Sequence, residues 1–423
     1  MSRPSEHRQP IGLHSATFAF QVRSSRAPRP DDTPPMVDLA DEQSDSDDNR
    51  DAEAVNYAMI EPAAPTHAPS PEPASTSRYR GLSRGAALAV LAALVALMSW
   101  FAWSSGSHGA ATLKAAPKEQ RDSELYKAIV ERVRSGEPYY DAVGTELRAR
   151  HYPTRPMFNW RQPTYAWVLA TLPRAFPTPI LVLLMLTTLA LTVRWLSAAW
   201  GLLPSLAVVV LHAGALGFAC SCFYIQEAWA GSLVVLGLSL YALRRWQFAM
   251  VALLAALAFR EFALLPCAVA MFFAVRERRW TEVKWWMLAL SFYACLLSLH
   301  ALTIAHHMLP VDFLGTPRTW VGFGGPHFLT QISRFSFVFF FLPPLLTALA
   351  LPLALVGYGD WREPGAARMG LTLLGFLCAF GVIGQSFNAY WGLIFLPLLS
   401  VGLVRAPRAL RDLVLAVAKP QTA

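Results

Sequence analysis

Two carboxylates one residue apart, Asp122 and Glu124, open the run "RDSELYKAIVERVRSGEPYYDAV" (121–143), a dense stretch of charge in a chain that is otherwise apolar. A carboxylate at a helix start can move protons, or it can simply cap the helix, which stabilises it by roughly 0.5–2 kcal/mol. Wound at about 100° per residue, residues 122–134 place Leu125, Tyr126, Ile129, Val130 and Val133 on one apolar stripe. Lys127, Glu131, Arg132, Arg134 and Glu124 take the opposite side or the flanks. Such a helix is expected to lie on a membrane surface with its apolar face down. Asp122 then heads the stripe and faces the membrane body, whereas Glu124 faces water.

Other ionisable groups stand out by position. Arg260 and Glu261 sit between two apolar runs, where charge is costly and is either functional or paired. Arg161 precedes the short apolar segment "PTYAWVLATLP" (163–173), which is too short to span and reads as an interfacial helix. His306, His307 and Asp312 could be offered as metal ligands, but adjacent helical residues point apart, so no metal site is expected there; no cofactor is expected, and the need for a divalent metal stays open. Cys220-x-Cys222 lacks the spacing and partners of a zinc site, and the five cysteines read as small residues of apolar helices. "GFGGP" (322–326) lacks the strand–loop–helix setting of a phosphate cradle.

The elements that must hold these groups are membrane helices. Hydrophobic residues make up 54% of the chain and charged residues 15%, against about 25% charged in soluble domains. Apolar runs at 86–103, 178–195, 203–220, 227–243, 247–260, 261–276, 284–304, 334–356, 369–385 and 388–404 imply an all-α polytopic membrane protein of ten spans. Residues 1–84, rich in Pro, Ser and Asp, are expected to be a disordered cytoplasmic tail, and 405–423 a cytoplasmic C-terminal tail, with the membrane domain (85–404) between them. Residues 1–85 carry 9 Lys+Arg against 13 Asp+Glu, and the remainder 27 against 15, so the body is basic. Basic connectors such as Arg244–Arg245 and "RERRWTEVK" (276–284) put both termini inside, and the loops 104–176 and 305–333 outside. Anionic lipid or phosphate suits that charge; nothing in the sequence resembles a nucleic-acid groove.

A first span, then an outer loop opening on an acid and an amphipathic "D-x-E-L-Y-x-x-I…G-E-P-Y-Y" stretch, resembles the GT-C superfamily of integral membrane glycosyltransferases. "YPTRPMFNWRQPTYAWVLATLP" (152–173), "FREFALLP" (259–266) and "FNAYWGLIFLPLL" (387–399) are similar to that family's architecture, and the likeness covers about 300 residues. The resemblance implies a polyprenyl-phosphate-linked sugar as donor and an envelope glycan, lipid or protein as acceptor. It also implies direct inverting displacement and residence in a bacterial inner membrane. On that likeness Asp122 is the expected base, with Glu124 as its rival, because the acids stand apart with Ser123 between them. Arg161, Arg260 and Arg155 are the expected donors to the lipid phosphate, and Glu261, Gln385, Asn388 and Tyr390 the expected substrate contacts. The alternatives are a transporter or flippase and a non-catalytic structural protein. The ionisable groups gather towards the outer face and no internal repeat is evident, which favours surface chemistry over transport.

Overall fold

A backbone withdrawn from water must satisfy its own N–H and C=O groups, and in the apolar runs of this chain it does so as α-helix. The computed structural model describes residues 77–107, 122–314, 322–384 and 388–419; the acidic tail and Gln385 lie outside the described residues. Helix α1 (Arg84–Ser107) is followed by three short helices, α2 (Asp122–Arg134), α3 (Tyr139–Ala149) and α4 (Pro163–Thr171). Six helices come next: α5 (Pro177–Trp200), α6 (Leu202–Ser221), α7 (Gln226–Ala242), α8 (Trp246–Phe259), α9 (Leu264–Arg276) and α10 (Trp280–His307). The C-terminal part holds α11 (Gly325–Ser333), α12 (Phe337–Phe341), α13 (Pro344–Asp360), α14 (Pro364–Ile383) and α15 (Leu396–Ala418). The described residues contain no strand, only an isolated bridge between Ser77 and Trp361.

The chain is a helical membrane protein. Among the described residues four helical segments are long and apolar enough to cross a bilayer: 84–105, 177–200, 280–307 and 364–383. The expected count of ten is not reached by that measure, and the reasons are local. The run 334–356 is broken: α11 ends at Ser333, α12 is a single short turn, and the helix restarts only after Pro343. The runs 247–260 and 261–276 are separate helices of 14 and 13 residues, joined by a 3₁₀ turn that carries Glu261. The run 388–404 begins as a 3₁₀ turn, Ala389–Ile394, and continues as α15 through Ala418. The supposed C-terminal tail is therefore largely helix.

Charge at that end is buried because it is paired. Arg405 donates through Nε and Nη2 to Asp360 Oδ2 (3.1 and 2.5 Å), and the Ser77 hydroxyl donates to Asp360 Oδ1 (2.5 Å). Arg80 donates to the buried carboxylate of Asp412 at 3.0 Å. These contacts tie the segment before α1 to the ends of α13 and α15. The latter two helices touch backbone to backbone: a Cβ added at Gly357 would lie 2.0 Å from the Gly402 carbonyl oxygen. Small residues allow such an approach between membrane helices. Gly357→Leu should therefore force α13 and α15 apart, and thermal unfolding in detergent should fall by several degrees, with Gly357→Ala giving a smaller drop.

Candidate functional site

The apolar stripe of α2 is as expected, but it is not turned to lipid. Leu125, Tyr126, Ile129 and Val130 are buried within the protein, with α2 packed on α3 and α4 of the same chain. Residues 122–171 thus form a small layer of short helices, and α4 is the short non-spanning helix expected at 163–173. Burying the stripe against α4 fixes the rotation of α2 and with it the direction of Asp122, its first residue.

Both oxygens of Asp122 accept tyrosine hydroxyls. Tyr152, just beyond α3, donates to Oδ1 at 2.7 Å, and Tyr390, in the 3₁₀ turn 389–394, donates to Oδ2 at 2.5 Å. Residues 30 and 268 positions away thus converge on one carboxylate. The turn that carries Tyr390 can come so close because Gly231 of α7 has no side chain; a Cβ there would lie 2.3 Å from the Leu393 carbonyl oxygen. Glu124, on the flank of α2, is part-exposed and makes no polar contact with these groups.

One turn along α2, Tyr126 accepts from Arg161 Nε at 2.9 Å. Arg161 stands at φ +36°, a left-handed value that costs a side-chain-bearing residue about 1–3 kcal/mol. Its surroundings hold it there. The Tyr139 hydroxyl bonds to the carbonyls of Trp160 and Arg161 (2.6 and 2.9 Å), and Arg161 Nη1 donates to Phe158 O at 2.8 Å. Nη1 also approaches Glu261 Oε1 at 3.8 Å, an ion-pair distance too long for a hydrogen bond.

Beyond Arg161 lies a closed ion cluster. Arg260 donates to Glu227 Oε1 at 2.7 Å, pairs with Glu261 through Nη1, and lies 4.1 Å over the ring of Phe262. The side chains of Arg260 and Glu227 are 0% exposed. Arg260 is thus bonded to two carboxylates and shut off from solvent, with Nη2 left without a partner, whereas the side chain of Arg161 is 10% exposed. Arg155 lies 5.0 Å over the Phe313 ring and is not in the cluster. Asn388 is buried two residues before Tyr390, and Gln385 falls outside the described residues.

Burial and neighbouring charge set the protonation states. Burial, reinforced by Asp122 and Glu227 against the opposing charges of Arg161 and Arg260, pushes the Tyr126 phenol up to about 12. Burial and the Asp122 charge likewise raise Tyr152. Burial works against the charge of Arg161, but Tyr126, Tyr390 and Glu261 outweigh it and hold the guanidinium above its ordinary value. Burial and then the Asp122 charge raise Tyr390 as well, so at neutral pH the phenols of Tyr126, Tyr152 and Tyr390 stay protonated and Arg161 remains a cation.

Sequence reasoning passed over three members of this group. Tyr126 was counted only as part of the apolar stripe, and Tyr152 was not singled out. Glu227 was absorbed into an apolar run, although an acid in such a run is itself a signal. On the other flank, His307 packs 5.4 Å from Tyr140 and 3.6 Å from Asp141, an aromatic contact with a nearby acid. Close by, Arg148 grips Asp312 through two donors (3.1 and 2.7 Å) and bonds to His307 O at 2.9 Å. Burial opposes the Asp312 charge, but bonds from Arg148 and the Leu309 amide leave its carboxyl below the usual range. Because the folded value is depressed, the stabilisation is full above about pH 4 and is lost as pH falls below it. Asp312→Asn should lower thermal stability at pH 7 by about 1–3 kcal/mol equivalent, and the gap between wild type and variant should narrow progressively as pH falls below about 4.

The chain was compared with protein-family models, curated proteins and solved structures, and matches none of them.

Proposed function

We propose that the protein is a membrane glycosyltransferase that moves a sugar from a polyprenyl phosphate to a hydroxyl of a cell-envelope acceptor, with the architecture of the GT-C superfamily. The observation that carries the reading is the carboxylate of Asp122, held at the start of a surface helix by two neutral tyrosine hydroxyls, with the Arg161 cation one turn away.

In the proposed reaction the acceptor hydroxyl oxygen attacks the anomeric carbon from the side opposite the phosphate. The new C–O bond forms as the bond from the anomeric carbon to the phosphate oxygen breaks. Asp122 takes the hydroxyl proton, and polyprenyl phosphate departs as an anion beside Arg161. The configuration at the anomeric carbon inverts. Each carboxylate oxygen has two lone pairs, so an oxygen that accepts a tyrosine still has one for the incoming proton. A base so placed contributes about 10²–10⁴ in rate, and Arg161 supplies charge-assisted hydrogen bonds to the leaving group. The lipid tail explains why such a site belongs at a membrane surface. The chain is proposed to sit in a bacterial inner membrane, with this layer outside and both termini in the cytoplasm.

The test is reconstitution of the full chain in liposomes with a radiolabelled short-chain polyprenyl-phosphate sugar and an envelope lipid or glycan extract. Transfer of label from the lipid phosphate to an acceptor is expected. Movement of the intact labelled lipid across the bilayer, without cleavage, would instead make the protein a flippase and end the transferase reading.

A further inference from the structure

Residues of α2, α3, α4 and α7 surround a small cavity lined by Tyr126, Tyr139, Asn159, Arg161, Tyr165 and Gln226, among others. Its free volume of about 10 Å³ admits one group the size of a water molecule. Gln226, the first residue of α7, is 1% exposed, and neither its amide nitrogen nor its amide oxygen has a hydrogen-bond partner. The next residue, Glu227, points to Arg260, so the two neighbours serve different ends of the site.

An amide with a donor and an acceptor both unused selects its partner's chemistry. A phosphate or carboxylate offers only acceptors, and an ammonium only donors; either would leave one half of the amide opposed. A hydroxyl offers both, and so does the water that a sugar hydroxyl would displace from this cavity. The nearby phenols narrow the choice further. Tyr139 spends its proton on the carbonyls of Trp160 and Arg161, and Tyr126 receives Arg161 Nε. The lining includes Tyr126, Tyr139 and Tyr165, and an acetamido group exceeds the available space.

We infer that Gln226 reads one free hydroxyl of the transferred sugar, so that the donor is unsubstituted at that carbon. This rests on the transferase reading and adds to it the orientation of the donor: sugar toward Gln226, phosphate toward the exposed edge of Arg161. Tyr126, which lies in both environments, separates the two.

The experiment measures binding of short-chain polyprenyl-phosphate hexoses to the purified full chain in detergent. The probes are the parent hexose, its monodeoxy series and its monoacetamido series. In the wild-type protein one carbon should stand out: removing its hydroxyl, or acetylamidating it, weakens binding about 10–100-fold, as expected for a hydroxyl bonded in a buried site. In Gln226→Met, which is similar in length and cannot hydrogen-bond there, the parent should fall to the level of that deoxy probe and the discrimination should vanish. The wild-type series needs no variant, so a poorly folded Gln226→Met leaves it decisive. If all deoxy probes bind like the parent, or if the variant keeps the discrimination, the assignment of Gln226 is wrong while the transferase reading stands. If no polyprenyl-phosphate hexose binds at all, both are wrong.

Discussion

Asp122→Asn should abolish measurable sugar transfer, with a fall of about 10²–10⁴ in rate, while donor binding changes by no more than about threefold. The asparagine keeps the volume and one acceptor oxygen, so Tyr152 or Tyr390 can still anchor it, but it cannot receive the acceptor's proton. The other side-chain position becomes an amide nitrogen facing a hydroxyl, and that tyrosine must turn its proton elsewhere. Glu124→Gln serves as the internal comparison and should stay within about threefold of wild type, because Glu124 meets none of the site residues. Steady-state transfer in proteoliposomes, with donor binding measured separately, tells loss of chemistry from loss of binding. Normal transfer by a membrane-inserted Asp122→Asn protein would remove Asp122 from the mechanism, and a large loss in Glu124→Gln would reverse the assignment.

Arg260→Met should be the most destabilising single change in the site. The guanidinium answers two carboxylates, and Glu227 has no solvent to fall back on. Removing one partner of a buried pair costs about 3–5 kcal/mol, mostly because the other charge is left unpaired. Glu227→Gln should cost less, since Arg260 still has Glu261 and the amide oxygen can accept from Nε. The double variant Arg260→Met/Glu227→Gln should be more stable than Arg260→Met alone, because it removes the stranded charge. Thermal unfolding of the detergent-solubilised protein can order the three. If the double variant is no better than Arg260→Met, the arginine acts through its packing on Phe262 and not through charge. The ordering bears on function as well. Arg260 and Glu227 fix Glu261, and Glu261 flanks Arg161, so the pair serves the site by holding its geometry.

Much of this architecture was legible in residue order. The amphipathic period of 122–134 gave the helix and its apolar stripe. The short apolar run at 163–173 gave α4. The position of Arg260 and Glu261 between apolar runs marked a charge in need of a partner. These are local or near-local properties, and helix formation and side-chain periodicity depend on neighbours a few residues apart. Among the described residues four segments have the length and composition of spans, against ten expected from the apolar runs. The apolar runs 247–260 and 261–276 form helices of only 14 and 13 residues, and the run 334–356 is divided between α12 and α13.

Partnership was invisible in one dimension. Nothing near Asp122 in the chain announces Tyr390, and nothing near Arg260 announces Glu227, 33 residues earlier. The stripe of α2 had an apolar partner written into it, but not whether that partner was lipid or protein, since both accept the same side chains. Residue types and periodicity decided that Asp122 would stand at the head of a helix and turn inward. Only the packed structure decided what it would meet there: two phenols, held neutral by burial, and a cation kept one turn away by a backbone that its neighbours hold in a left-handed conformation.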